Sequence, residues 1–115
     1  MKISFDFDDT LTEKHMQQLA VSLCGSGADV YIITTRLAGF GQEVYQLASQ
    51  LGIAQDKIYF THRASKASLV DQLEIDIHFD DDPAEVESIG QKGRMAVLVK
   101  LDNVVLQRFL QNRGY

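Results

Sequence analysis

Apolar and polar positions alternate between two periods along this chain. Short apolar runs fall at 2–7, 29–34, 57–61, 75–79 and 95–99, each the length of a strand. Between them the period changes to that of a helix. Met16, Leu19, Ala20 and Leu23 lie at i, i+3, i+4 and i+7, and Val44, Leu47, Ala48 and Leu51 repeat the pattern. Gly52 follows the second set as a helix stop. Leu69, Val70 and Leu73 predict a short third helix, Val86 and Ile89 a fourth, and Val105, Leu106, Phe109 and Leu110 a last one. Strict alternation of strand and helix predicts a parallel sheet with helices on both faces. The runs at 29–34, 75–79 and 95–99 are mostly apolar, as expected of strands covered on both sides.

Composition narrows the class. With 115 residues the chain is expected to be a single domain over 1–115, with no room for a second. Hydrophobic residues make up 45% and there is one proline, which argues against disorder. A net charge of −5 disfavours stable binding to nucleic acid, which requires a basic face. Cys24 is the single cysteine and lies in an apolar helical pattern, so it is expected to be a buried small residue outside any disulfide. The N-terminus lacks a secretory apolar region and no long apolar run follows. The expectation is a soluble, cytoplasmic protein with no membrane partner.

The candidate chemistry lies where apolar runs end, since ligands of open α/β sheets gather at the carboxyl ends of strands. The first run leads into Asp6, Asp8 and Asp9, then Thr10. Asp6 suits a nucleophile toward phosphorus, and Asp8 a general acid and then base. Two aspartates at this spacing also suit a shared hard cation. Helix entry is the competing explanation: Thr10-Leu11-Thr12-Glu13 reads as a capping box, which accounts for Thr10 and Glu13 but not for Asp6. The second run ends in Thr34-Thr35-Arg36. Either threonine suits a phosphate oxygen; the resemblance described below, in which an arginine follows the hydroxyl residue by two, favours Thr34. Ser65 reads as an N-cap, placing Lys66 in a first helical turn where a cation opposes the helix dipole. Lys66 is suited to bridge a nucleophile and a phosphate, whereas Arg63 reads as a surface or rim cation.

The fourth run ends in Asp80-Asp81-Asp82-Pro83-Ala84-Glu85. Asp82 as N-cap, Pro83 at the first helical position and Glu85 in a capping box are explained by helix physics. Asp80 and Asp81 are not. Adjacent acids repel unless a cation or proton intervenes. Both are candidate metal ligands, and the resemblance described below implies Asp81 first and Asp80 second. The histidines at 15, 62 and 78 carry no cluster, and no glycine-rich phosphate loop is present.

Asp6-x-Asp8-x-Thr10 after a strand, Thr34 at the close of the second run, Lys66, and Asp80-Asp81 come in an order that resembles the haloacid dehalogenase-like (HAD) phosphohydrolases over 2–99. The resemblance implies a Rossmann-like three-layer fold with strand order 5-4-1-2-3. It implies a magnesium-dependent phosphatase acting through an aspartyl-phosphate. Asp6 is then nucleophile and ligand, Asp8 acid/base and a ligand through its carbonyl, and Asp81, with Asp80, completes the magnesium site. Thr34 and Lys66 hold the phosphate. HAD enzymes usually carry a cap domain, for which this chain leaves no room. An open site of this kind suits a nucleotide, a nucleic-acid end or a phosphoprotein better than a small sugar phosphate. The alternative is a catalytically silent metal-binding or protein-interaction module. A receiver-like domain is disfavoured because Thr61-His62 stands where an accepting aspartate is required.

Overall fold

The computed structural model describes residues 1–99, 111, 113 and 114. The helix expected at Val105, Leu106, Phe109 and Leu110 lies outside them. The strands are β1 (Lys2–Phe5), β2 (Asp29–Thr34), β3 (Ile58–Phe60), β4 (Ile77–Asp80) and β5 (Met95–Leu98). The helices are α1 (Lys14–Gly25), α2 (Gln42–Leu51), α3 (Ala67–Gln72) and α4 (Pro83–Gln91). All four strand pairings are parallel. The order is β3-β2-β1-β4-β5, the expected one, with β1 at the centre.

Strand alternation sorts the core into two layers. Ile3, Phe5, Val30 and Ile32 pack with Met16 and Ala20 of α1 and Val44 and Ala48 of α2. Phe5 stacks on Phe79 with ring centres 5.1 Å apart. The opposite face carries Ile33, Ile75, Ala67 and Val70 of α3, and Ile89 of α4. The helix ends follow local chemistry. Gly52 sits at φ 85°, a left-handed conformation that closes α2, and Ile53 N–H returns to the Ala48 carbonyl. Asp82 caps α4 by accepting from Ala84 N–H at 2.9 Å.

Several local expectations are corrected. β1 ends at Phe5 rather than at 7, because residues Phe7–Leu11 form a wide turn in which Leu11 N–H reaches the Asp6 carbonyl and Thr12 N–H the Phe7 carbonyl. Thr10 does not cap α1: the capping position is Glu13, and no side chain caps that helix. α3 begins at Ala67, one residue later than expected, and the Ser65 hydroxyl accepts from Ala67 N–H at 3.4 Å. Among the described residues β5, an edge strand, is packed on one face only: Ala96 joins the second layer, and Met95 and Val97 are exposed. Cys24 is half-buried against the first layer. No helix among the described residues is long and apolar enough to cross a membrane.

Candidate active site

The carboxyl ends of β1 and β4 meet in a cleft of about 400 Å³ lined by Asp6, Asp8, Thr35, Lys66, Asp80 and Asp81, among others. Among the described residues, the turn at Phe7–Leu11 and α1 separate β1 from β2 and the short α3 separates β3 from β4, so neither connection carries an inserted domain over this edge.

Asp6 continues the line of β1 at φ −65°, ψ 152°, and its N–H still donates to the Phe79 carbonyl. Alternation therefore turns its side chain to the face that carries α3, opposite Phe5. There it meets Lys66, whose Nζ donates to Asp6 Oδ1 and to Asp80 Oδ2, both at 2.7 Å. All three groups are buried, Lys66 at 2% exposure. Burial drives an ammonium toward neutrality, but the two carboxylates outweigh it and raise the Lys66 pKa.

Asp80 has both oxygens occupied. Oδ2 accepts from Lys66 and from His78 Nε2 at 2.8 Å, and Oδ1 accepts from Asp82 N–H at 3.0 Å. Burial pushes its pKa up, yet the His78 hydrogen bond and Lys66 hold it below the usual carboxylate value. Asp6 moves the other way, from 3.8 up to about 8. Burial is the main cause, Lys66 opposes it, and a hydrogen bond with the Asp81 carboxyl and the Asp80 charge add to the rise. Thr10 is fully buried, and its hydroxyl lies 3.3 Å from Asp6 Oδ2 and 3.4 Å from Asp81 Oδ1, so it faces both acids and has one hydrogen to give.

Asp6, Asp80 and Asp81 each offer a carboxylate oxygen, all within 4.8 Å of one another. An all-oxygen donor set suits a hard divalent cation. The donors fit such an ion for a second reason. Burial first, and the neighbouring Asp81 and Asp80 carboxyls second, raise the proton affinity of Asp6, and a cation among these acids would favour its ionised form. Asp81 is the freer ligand, since Asp80 is committed to three protein donors.

Asp8 does not join this cluster with its side chain. Its carboxylate is gripped at the mouth of the cleft by Arg36, with Nε to Oδ2 at 2.9 Å and a terminal nitrogen to Oδ1 at 2.7 Å. Arg36 is braced by the Phe40 carbonyl and lies 4.9 Å over the Phe7 ring. Asp9 takes a left-handed φ of 58°, so the chain turns sharply after Asp8.

The preference for Thr34 is corrected. Thr34 is fully buried on the side of Ile32 and accepts from Arg36 N–H at 3.2 Å, whereas Thr35 lines the cleft. The run 29–34 is even in phase with Val30 and Ile32, which turns Thr34 into the α1–α2 layer. Glu85 is likewise reassigned: its Oε2 accepts from Lys66 N–H at 2.9 Å, satisfying the start of α3 rather than of its own helix. His78, expected to carry little, is corrected: it is fully buried between Asp80 and Ser4, and Ser4 had no expected role. The signal available was a polar residue at an inward position of each central strand.

The comparison with known proteins adds no relative to this geometry: the chain matches no family model and no curated protein.

Proposed function

We propose that this cleft is the active centre of a magnesium-dependent phosphatase of the HAD type, which hydrolyses a phosphomonoester through a phosphorylated Asp6. One observation supports this reading more than any other. A buried lysine divides its ammonium between two carboxylates from adjacent strand ends, and a third acid, Asp81, lies within ligand distance of both. Burying so many charges is costly for a fold of this size. A purely structural core would be served as well by apolar side chains.

Asp6, Asp81 and Asp80 would hold the magnesium ion, with the Asp8 carbonyl as the further ligand. When bound, the ion supplies positive charge that keeps Asp6 ionised and offsets that of a phosphate dianion. The chain's own residues do the rest. Lys66 orients the Asp6 carboxylate and meets a phosphate oxygen, and the Thr35 hydroxyl donates to another. Asp8, released by Arg36 and protonated from solvent at the mouth of the cleft, gives a proton to the ester oxygen as an Asp6 oxygen forms a bond to phosphorus and the ester oxygen departs with its electron pair. Asp8, now a carboxylate, takes a proton from water. The water oxygen bonds to phosphorus, the Asp6–phosphorus linkage breaks, and inorganic phosphate leaves with Asp6 restored. Asp8 then releases that proton to solvent and returns to Arg36 between turnovers. An open cleft of this size favours substrates whose bulk stays outside it, such as nucleotides, nucleic-acid ends or phosphoproteins.

The test is hydrolysis of p-nitrophenyl phosphate with magnesium or with excess chelator. Turnover that needs the ion is expected. Turnover unaffected by the chelator contradicts the reading. A protein that binds magnesium but turns over neither this ester nor nucleotides and phosphopeptides is the silent module instead.

A further inference from the structure

The Asp6–Lys66–Asp80 group does not end at Asp80. Asp80 Oδ2 also accepts from His78 Nε2 at 2.8 Å, and His78 Nδ1 lies 2.6 Å from the Ser4 hydroxyl. Ser4 and His78 are both fully buried. They are direct neighbours across the two central strands, in the register Ser4 to His78. Alternation explains the line. Ser4 and Asp6 share one face of β1, and His78 and Asp80 share the same face of β4, all on the side of α3 and Lys66. Five polar side chains thus run in one hydrogen-bonded file from the middle of the sheet to the cleft.

An ionised Asp80 can only accept, so Nε2 of His78 carries the hydrogen. Nδ1 is then the acceptor of the Ser4 O–H. Each atom has a partner, and no buried side-chain nitrogen or oxygen among the described residues lacks one. An imidazole and a hydroxyl deep in a sheet are harder to accommodate than two apolar residues, so their presence calls for a use. The use is visible at Asp80 Oδ2, which serves two donors at once. With His78 in place that oxygen is fixed from behind, and Lys66 is held at a distance that also reaches Asp6. Without His78, Asp80 is tethered only by Asp82 N–H and by the lysine itself, and is free to draw Lys66 off the nucleophile.

We propose that His78 and Ser4 are positioning residues for phosphoryl transfer, acting through Asp80 to keep Lys66 on Asp6. The inference rests on the phosphatase reading above. Its test is steady-state kinetics of the full chain on p-nitrophenyl phosphate at saturating magnesium, for the wild type, His78→Gln, His78→Leu and Ser4→Ala, with thermal melts alongside. Gln keeps an N–H donor near the Nε2 position; Leu keeps volume and loses the donor. His78→Leu is expected to lower kcat roughly 10–100-fold with KM changed by less than about twofold. His78→Gln should recover most of that loss, and Ser4→Ala should fall a few-fold. A His78→Leu protein with wild-type kcat overturns the proposal, as does a rise in KM alone, or Gln and Leu variants that fall equally. If His78→Leu fails to fold, Ser4→Ala decides: kcat reduced at unchanged KM supports positioning, and unchanged kcat overturns it. A wild type that turns over neither this ester nor nucleotides and phosphopeptides removes the phosphatase reading itself, and this inference with it.

Discussion

Two strand ends of this protein carry acidic runs of nearly the same composition, and the chain uses them differently. After β1 the acids are separated by Phe7 and enter a wide turn. After β4 they are contiguous and enter a regular helix. In the first, Asp6 is drawn inward to Lys66, and Asp8 is held outward by Arg36. In the second, Asp80 is locked inward by three donors, Asp81 faces the cleft, and Asp82 caps α4. One buried acid from each end meets the same ammonium, yet only Asp6 is left with a raised proton affinity. The difference comes from what stands behind each. Asp80 is backed by an imidazole donor, and Asp6 is faced by another carboxyl. Asp80 is thereby an anchor, and Asp6 is the acid proposed to react.

The contrast breaks most visibly at Asp6. Asp6→Asn is isosteric and keeps a partner for Lys66, so the fold should persist while turnover falls by at least roughly a thousandfold. Residual activity near wild type would move the nucleophile elsewhere. Lys66→Met strikes both ends at once, leaving two buried acids without their cation. It should cost about 3–5 kcal/mol in urea denaturation, and a loss under about 1 kcal/mol would mean the pair is not buried as described. The β4 acids separate next. Asp81→Asn should raise the magnesium concentration needed for half-activation by roughly tenfold or more. Asp82→Ala should leave that concentration unchanged and cost about 1 kcal/mol through the lost cap. The reverse order would place the ligand on Asp82.

Acidity supplies a finer probe. Asp6 titrates at 3.8 unfolded and at about 8 folded, so the folded protein binds this proton more tightly. Stability from this group therefore falls as pH rises above 3.8, and the loss is complete once pH passes about 8. His78 opposes it only below 6.5, because its folded value is lowered and the unfolded chain takes up the proton first. Between pH 6.5 and 8 the melting temperature of the magnesium-free protein should therefore decline, then level off. Saturating magnesium should remove most of the decline by favouring ionised Asp6. A flat profile without magnesium would contradict the raised affinity.

The sheet was legible because each of its elements is a local pattern. Period-two runs, period-3.6 runs, Gly52 and the Asp82-Pro83 start are all written in adjacent residues. The acids at strand ends were legible for the same reason. Three features were not, and each depends on phase or on distance along the chain. Thr34 and Thr35 differ by one residue, and alternation alone decides which reaches the cleft. Thr10 resembles a cap in sequence, but the wide turn rotates it onto Asp6 and Asp81. Ser4 and His78 lie 74 residues apart and become a pair only through the β1–β4 register, which no local window contains.

In the proposed reaction Asp6 takes the phosphoryl group. The most direct measurement is to quench the protein in acid during turnover of p-nitrophenyl phosphate with magnesium and map the phosphorylated peptide by mass spectrometry. The account predicts one phosphoryl group on Asp6, labile to hydroxylamine and absent from Asp6→Asn. Turnover with the label on another residue would contradict it, as would turnover in which Asp6→Asn still carries the label.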